Sequence, residues 1–417
     1  MDKKPIFPKN FFWGASTAGH QVEGGNHDDW TVWELANAKE LARTANQRQG
    51  WIPDWPRVKA QAEKPQNYVS DHGVDHYRRY KQDFDLLTDL NMNAFRFSIE
   101  WSRIEPQEGQ WDQAAVDHYR DYLSELRKRK IEPFLNIWHW TVPVWFEQKG
   151  GFTKRANLGY FKRFVQKISD EFGADLSYII TLNEPNVYVS LGFIEGTRPP
   201  QLRKPLLGLW TYWNLHTAHK QAYKLLKSAH PHLQVGIAAQ LGNIQAKRPH
   251  NIIDGVTTKV MRFAWDWWFL HRIRRQQDFI GINYYFTDYY KNFHRQNPSV
   301  PVNDLGWYME PEGIYPLLLR TWVRYKKPIF ITENGVADAQ DQYRRWWIEE
   351  TIIAMERALS EGVDLRGYLH WSLLDNFEWE SGWWPKFGLV EVDRANGMKR
   401  TIRPSAKWLA EFLRQVR

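Results

Sequence analysis

The chain has 417 residues, 24 of them Trp and none Cys, and its 56 Lys and Arg against 48 Asp and Glu leave a formal charge of +8. Without Cys there is no disulfide scaffold, thiolate zinc site, iron–sulfur cluster or cysteine nucleophile, and the composition fits a reducing, cytoplasmic setting. The 43% hydrophobic and 25% charged content is that of a folded protein with a large core, and the positive charge permits weak attraction to anionic surfaces without establishing a partner.

The opening MDKKPIFPKN is followed by no apolar stretch of signal-peptide length, and no window of about eighteen apolar residues predicts a membrane span. Ser/Gly linkers and low-complexity runs are absent, so one continuous unit over 1–417 is expected. Runs rich in β-branched and aromatic residues predict strands at 11–16, 93–99, 132–139, 178–184, 234–240, 279–285, 328–334 and 365–371. Several are apolar almost throughout, as strands covered on both faces should be. Helical spacing fills the intervals, in HYRRYKQDFDLLTDL from His76, AAVDHYRDYLSELRKRK from Ala114 and YFKRFVQKISDEF from Tyr160. It recurs from Asn214 and Trp347 and after Pro404. This alternation predicts an α/β fold, a single (β/α)8 TIM barrel, with a long insertion at about 17–75 after the first strand. A doubly wound open sheet is the alternative, but no GxGxxG or GxxxxGK[ST] turn follows any early strand.

In such a barrel, polar residues at the C-terminal strand ends share one pocket. Those positions hold Gln21 beyond the first strand, Arg96 within the second, His139 ending the third, and Asn183 and Glu184 at the fourth. Asn283 and Tyr285 follow at the sixth, Glu333 at the seventh, and Trp371, Asp375, Glu378 and Trp379 at and after the eighth. Unpaired buried carboxylates are costly, so a purely structural core would not choose this set. Glu184 and Glu333 would face each other across the mouth. A facing carboxylate pair is the equipment for splitting a glycosidic bond, one group protonating the departing oxygen and the other attacking the anomeric carbon or activating water. Taken singly, each of these residues has a bland reading: a salt-bridged glutamate, a core histidine, a strand-bracing Asn, a packed Tyr. Asp375 and Glu100 are expected to be scaffold.

FFWGASTAGHQVEG, FRFSIEWSRIEP, FLNIWHWTVPVWF, TLNEPN, DFIGINYY, IFITENG and GYLHWSLLDNFEW, in this order and over essentially the whole chain, resemble family 1 of the glycoside hydrolases, the retaining β-glucosidases and β-galactosidases. The layout resembles most its archaeal-type branch. The resemblance implies Glu184 as acid/base and Glu333 as nucleophile, with Arg96 and Tyr285 beside the nucleophile favouring its ionised form. Glu184 must hold its proton near neutral pH, which burial and its partner's charge would achieve. A carboxyl separation of about 5–5.5 Å is expected. Gln21, His139, Asn183, Asn283, Glu378 and the Trp379 indole resemble the family's set that binds the terminal sugar, with Trp371 as an apolar floor. Glu378 argues against the phosphosugar-specific branch, and Glu184 against the thioglucosidase branch. Small β-glycosides are the implied partners, hydrolysis with transfer to sugar acceptors the implied reactions, and no cofactor is implied. A catalytically silent sugar-binding barrel and a basic nucleic-acid binder are the competing readings.

Other features carry less. His72 and His76 stand at i, i+4, but HGVDH lacks the glutamate of HExxH, so no metal is expected. RKRK at 127–130 and HRIRRQQ at 271–277 read as solvated helix faces, with no nucleic-acid signature beside them. Trp265, Trp267 and Trp268 of FAWDWWFL are expected on the buried side of a helix, and Trp383 and Trp384 either line the cleft entrance or pack within their loop. WWFLHRIRRQQ runs straight into DFIGINYY, where the family carries a longer connection. That shortening predicts either an exposed apolar side that recruits a second subunit or a loose wall with an extra cavity.

Overall fold

The apolar runs become strands because both of their faces are covered, and all eight enter one sheet. In a computed structural model describing residues 7–416, β1 (Phe12–Ser16), β2 (Ala94–Ser98), β3 (Glu132–Asn136), β4 (Tyr178–Asn183), β5 (Gln234–Gln240), β6 (Ile280–Tyr284), β7 (Ile329–Asn334) and β8 (Leu365–Trp371) pair in parallel. Each strand lies beside its sequence neighbours and β8 returns to β1, so the sheet is a closed barrel and not the open doubly wound alternative. Helices such as His76–Asp89, Gln113–Lys128, Leu158–Phe172 and Arg344–Ser360 pack outside it.

The N-terminal half of the interior is filled by aromatic rings. Phe134 stacks on Tyr178 at 4.4 Å between centroids, with Phe12 at 5.4 Å and Phe330 at 5.2 Å from Phe134 edge-on. A substrate can therefore enter only from the C-terminal ends. Three predicted strands run too long. His139 lies three residues past β3, while Glu184 and Tyr285 each lie one residue past β4 and β6. The apolar character continues there, but the ladder has stopped and the chain turns over the mouth. Gly335, after the ITEN of β7, lets that turn pass against β8, since a Cβ there would lie 1.7 Å from the Trp371 carbonyl oxygen.

The insertion after β1 folds into short helices, the longest Asp29–Arg43, and meets the loop beyond β8. Asn67 Nδ2 donates to the Ser381 carbonyl at 2.9 Å, and the Trp383 indole donates to the Val69 carbonyl at 2.8 Å. Trp383 and Trp384 are buried, so of the two placements open to them the structure shows packing and not the cleft entrance. His76 is likewise a buried packing residue, with Nδ1 2.8 Å from Asp83 and Nε2 2.8 Å from the Tyr122 hydroxyl, while His72 faces solvent.

Asp375 is scaffold. Arg403 donates to both of its carboxylate oxygens at 2.9 Å, and the Gly388 amide adds a third bond at 3.1 Å. Burial alone would raise the Asp375 pKa, but the charge and hydrogen bonds of Arg403 together with the charges of Lys386 and Arg344 outweigh it and hold the carboxyl below its ordinary range. Arg403→Met leaves that carboxylate buried and unpaired, and should cost about 3–5 kcal/mol. The measurement is the shift of the urea midpoint, and a shift within error would refute the assignment.

Candidate active site

Both glutamates sit where a strand ladder is interrupted. The β4–β5 register shifts between Ile180 and Asn183, and the β7–β6 register between Ile331 and Glu333. Such irregularities re-aim a side chain out of the pleat. Glu184 then adopts a left-handed backbone (φ 44°) and caps the short helix Pro185–Val189. That conformation costs a non-glycine residue about 1–2 kcal/mol, and here it tips the carboxyl into the mouth.

A chain of side-chain hydrogen bonds joins the two carboxylates. Arg96, wholly buried on β2, donates through Nη1 to Glu333 and through Nη2 to Asn183 Oδ1 at 2.6 Å. Asn283 Nδ2 donates to the same Asn183 oxygen at 3.1 Å and to Glu184 Oε1 at 2.8 Å, while Thr332 fixes the Asn283 amide by donating to its Oδ1 at 2.6 Å. The Tyr285 hydroxyl donates to Glu333 Oε2 at 2.6 Å. Glu333 thus faces a guanidinium and a phenol, and Glu184 a single neutral amide.

The environments separate the two groups. Burial first, then the negative charge of Glu333, pushes the Glu184 pKa up to about 8. Burial, followed by the Glu333 charge, raises Tyr285 well above its ordinary value, so it remains a donor. Burial, aided by Arg96, drops His139 well below its usual range and leaves it neutral. Burial also lifts Glu378 to about 8, against the pull of Arg198.

The remaining expected residues gather around this pair. Trp371, His139 and Trp379 lie nearly parallel, with His139 centroids 5.8 Å from Trp371 and 6.1 Å from Trp379. Gln21 is anchored through Nε2 on the Phe377 carbonyl at 2.7 Å, and its buried Oε1 has no partner among the described residues. His139, Glu184, Tyr285, Glu333, Trp371 and Glu378 line one cleft of about 740 Å³.

Several residues of the site were not foreseen. His20, on the turn after β1, stacks parallel to Trp379 at 5.5 Å and holds Asp28 through Nδ1 at 2.9 Å. Arg198 lies 4.8 Å over Trp140 and donates to Glu380 at 2.6 Å, and Trp51 and Trp307 reach the cleft from the insertion and from the loop after β6. Trp265 corrects an expectation: only Trp267 of the FAWDWWFL trio is fully buried, whereas Trp265 lines the cleft and its indole donates to Gln240. A widened π-helical turn at Phe263–Trp267 shifts the face that simple helical spacing would assign. Glu100 accepts from the His20 amide at 2.9 Å and the Thr141 hydroxyl at 2.7 Å behind the pocket, a scaffold position.

A closed (β/α)8 barrel with two buried glutamates at the ends of β4 and β7 defines the class of barrel glycoside hydrolases. The chain belongs to Glycosyl hydrolase family 1, whose profile matches residues 3–273 and 269–417, and it is an enzyme of that class. It is 29% identical to beta-glucosidase A of Thermotoga maritima, covering 98% of each chain. It is 30% identical to the beta-galactosidase of Sulfolobus acidocaldarius over 98% of this chain and 95% of that protein. The beta-glycosidase from Pyrococcus horikoshii superposes with a TM-score of 0.86 at 30% identity, covering 99% and 96% of the two chains. The two matched stretches meet at 269–273, the place where the connection reads as shortened.

Proposed function

We propose that the protein is a retaining β-glycosidase acting on terminal β-D-glucosides and β-D-galactosides in the cytoplasm, through a covalent glycosyl-enzyme and with transfer to sugar acceptors. Glu333 is the nucleophile and Glu184 the acid/base. The observation that carries this is the unequal pair: Glu333 held by Arg96 and Tyr285, Glu184 buried beside a single amide with its pKa pushed up to about 8. Attack by Glu333 removes its negative charge, one of the causes that raises Glu184, so the acid of the first step becomes the base of the second. Gln21, His139, Asn183, Asn283, Glu378 and Trp379 bind the hydroxyls of the terminal sugar, and Trp371 supports its apolar face. The names of the glucosidase and galactosidase relatives support the substrate class.

The test follows the anomer first released from nitrophenyl β-D-glucoside by proton NMR, with kcat/KM on a panel of nitrophenyl glycosides. β-Glucose should appear first, then mutarotate, and the gluco and galacto substrates should lead the panel. α-Glucose as the first product, or binding without turnover, would overturn the reading.

A further inference from the structure

The helix Ile252–Arg262 is oriented contrary to the usual rule. An amphipathic helix on a globular protein turns its apolar face to the core. Here the side chains turned inward are polar: Asp254, Thr257 and Thr258 are buried, and Asp254 pairs with Arg248 at 2.9 Å. The outward face is Ile252, Ile253, Val256 and Val260, continued by Phe263, with Ile252 83% and Phe263 55% exposed. The next segment, Trp268–Ile273, packs on the helix Pro205–Ala229, where Arg272 lies 4.1 Å over Trp213. That helix also exposes Leu206, Leu209 and Trp210. The helix from Ile252 to Phe263 is thus a rod of aliphatic and aromatic side chains turned to solvent, leading into the shortened connection where the two family matches meet.

Charge selects the occupant. Within 251–275 the two carboxylates, Asp254 and Asp266, are both buried, and 203–213 contains none. The exposed charges of these segments are therefore all cationic: Arg203, Lys204, Lys259, Arg272, Arg274 and Arg275. Apolar and aromatic side chains framed by Lys and Arg match the boundary between anionic headgroups and acyl chains. A second copy of the chain would set cations against cations across a two-fold axis, which disfavours it.

We infer that this face docks the enzyme on anionic lipid surfaces. The contact is peripheral and needs no spanning helix; none of the described helices is long and apolar enough to cross a membrane. The same rod supplies Met261 and Trp265 to the cleft wall, so the docking face and one end of the cleft share a single element. The inference does not depend on the roles given to Glu184 and Glu333.

Flotation with mixed phosphatidylglycerol–phosphatidylcholine vesicles, against phosphatidylcholine alone, tests it. The protein should float with the anionic vesicles, and added salt should weaken the binding about tenfold or more. The triple variant Val256→Glu, Val260→Glu, Phe263→Glu should lose flotation while hydrolysing nitrophenyl β-glucoside as before. A second variant, Lys259→Glu, Arg274→Glu, Arg275→Glu, leaves the apolar side chains in place and should also lose it. No flotation of the unaltered protein, or equal flotation of the folded, active triple variant, overturns the inference. A dimer seen by light scattering without vesicle binding, and abolished by the triple variant, would overturn it too and assign the face to a second copy.

Discussion

Glu333→Gly should lower kcat/KM for β-glucosides by about 10⁴-fold or more, because loss of the proposed covalent nucleophile takes away a step and not merely a contact. The deletion leaves the buried Arg96 guanidinium without its carboxylate and should cost about 3–5 kcal/mol of stability, so circular dichroism of the variant checks that the fold survives. Arg96 would then lack one partner but keep its bond to Asn183 at 2.6 Å. Azide is small enough to occupy the space left by the carboxylate. It would attack the anomeric carbon of an activated nitrophenyl glucoside from the same side as the lost oxygen, giving the α-glycosyl azide in a single inversion. The rescued reaction also reports on Glu184. Its pKa is raised by burial and by the negative charge of Glu333, so losing that charge lowers it while the burial contribution remains. The basic limb of the rescued pH profile should therefore fall below the value of about 8 that describes Glu184 in the unaltered enzyme. Unchanged hydrolysis, or a β-azide product, would remove Glu333 from the nucleophile's role.

Glu184→Ala should produce a loss that depends on the leaving group. Alkyl glucosides need a proton on the departing oxygen and should lose on the order of 10³–10⁴ in kcat/KM, the upper part of what general acid catalysis contributes. Dinitrophenyl glucoside needs little protonic help to form the glycosyl-enzyme and should keep most of its kcat/KM. Its kcat should fall because water then attacks without a base, and KM should fall with it as the intermediate accumulates. Azide would now relieve the second step and give the β-azide, the opposite anomer to that from Glu333→Gly. With Glu184 as the proposed acid, the active form of the unaltered enzyme carries it protonated, so activity should decline as pH rises through about 8. The variant should lose that basic limb. Equal losses for all leaving groups would argue that Glu184 only shapes the pocket.

The eight strands were legible because a barrel strand is covered on both faces and writes an apolar run, as in PFL of β3 or IFIT of β7. Legibility failed where composition and backbone hydrogen bonding part company. The aromatic character of IWHW continues past Asn136, yet the ladder ends there and His139 turns over the mouth. The indoles show the same limit. Trp265, Trp267 and Trp268 are neighbours in one helix, but a widened π-helical turn at Phe263–Trp267 sends Trp265 to the cleft. Trp383 and Trp384 could have lined the entrance or packed in their loop, and the insertion covers them, Asn67 and Val69 meeting Trp383 and Ile52 and Trp55 clustering with Trp384. Regular helical spacing does not announce the widened turn, and the cover over Trp383 depends on a segment distant in the chain.

The sequence by itself determined the barrel, the family and the pair Glu184 and Glu333, since strand periodicity and the TLNEP and ITENG motifs are local properties of the chain. Only the tertiary structure decided how the pair is wired. The bonds from Arg96 on β2 to Asn183 on β4 and Glu333 on β7, and from Asn283 on β6 to Glu184, cross the barrel between residues up to 237 positions apart. The unequal burial and charge around the two carboxyls follow from that closure. It likewise left Ile252, Val256 and Phe263 facing outward, because which side of a helix meets the core depends on what packs beside it and not on the helix's own sequence.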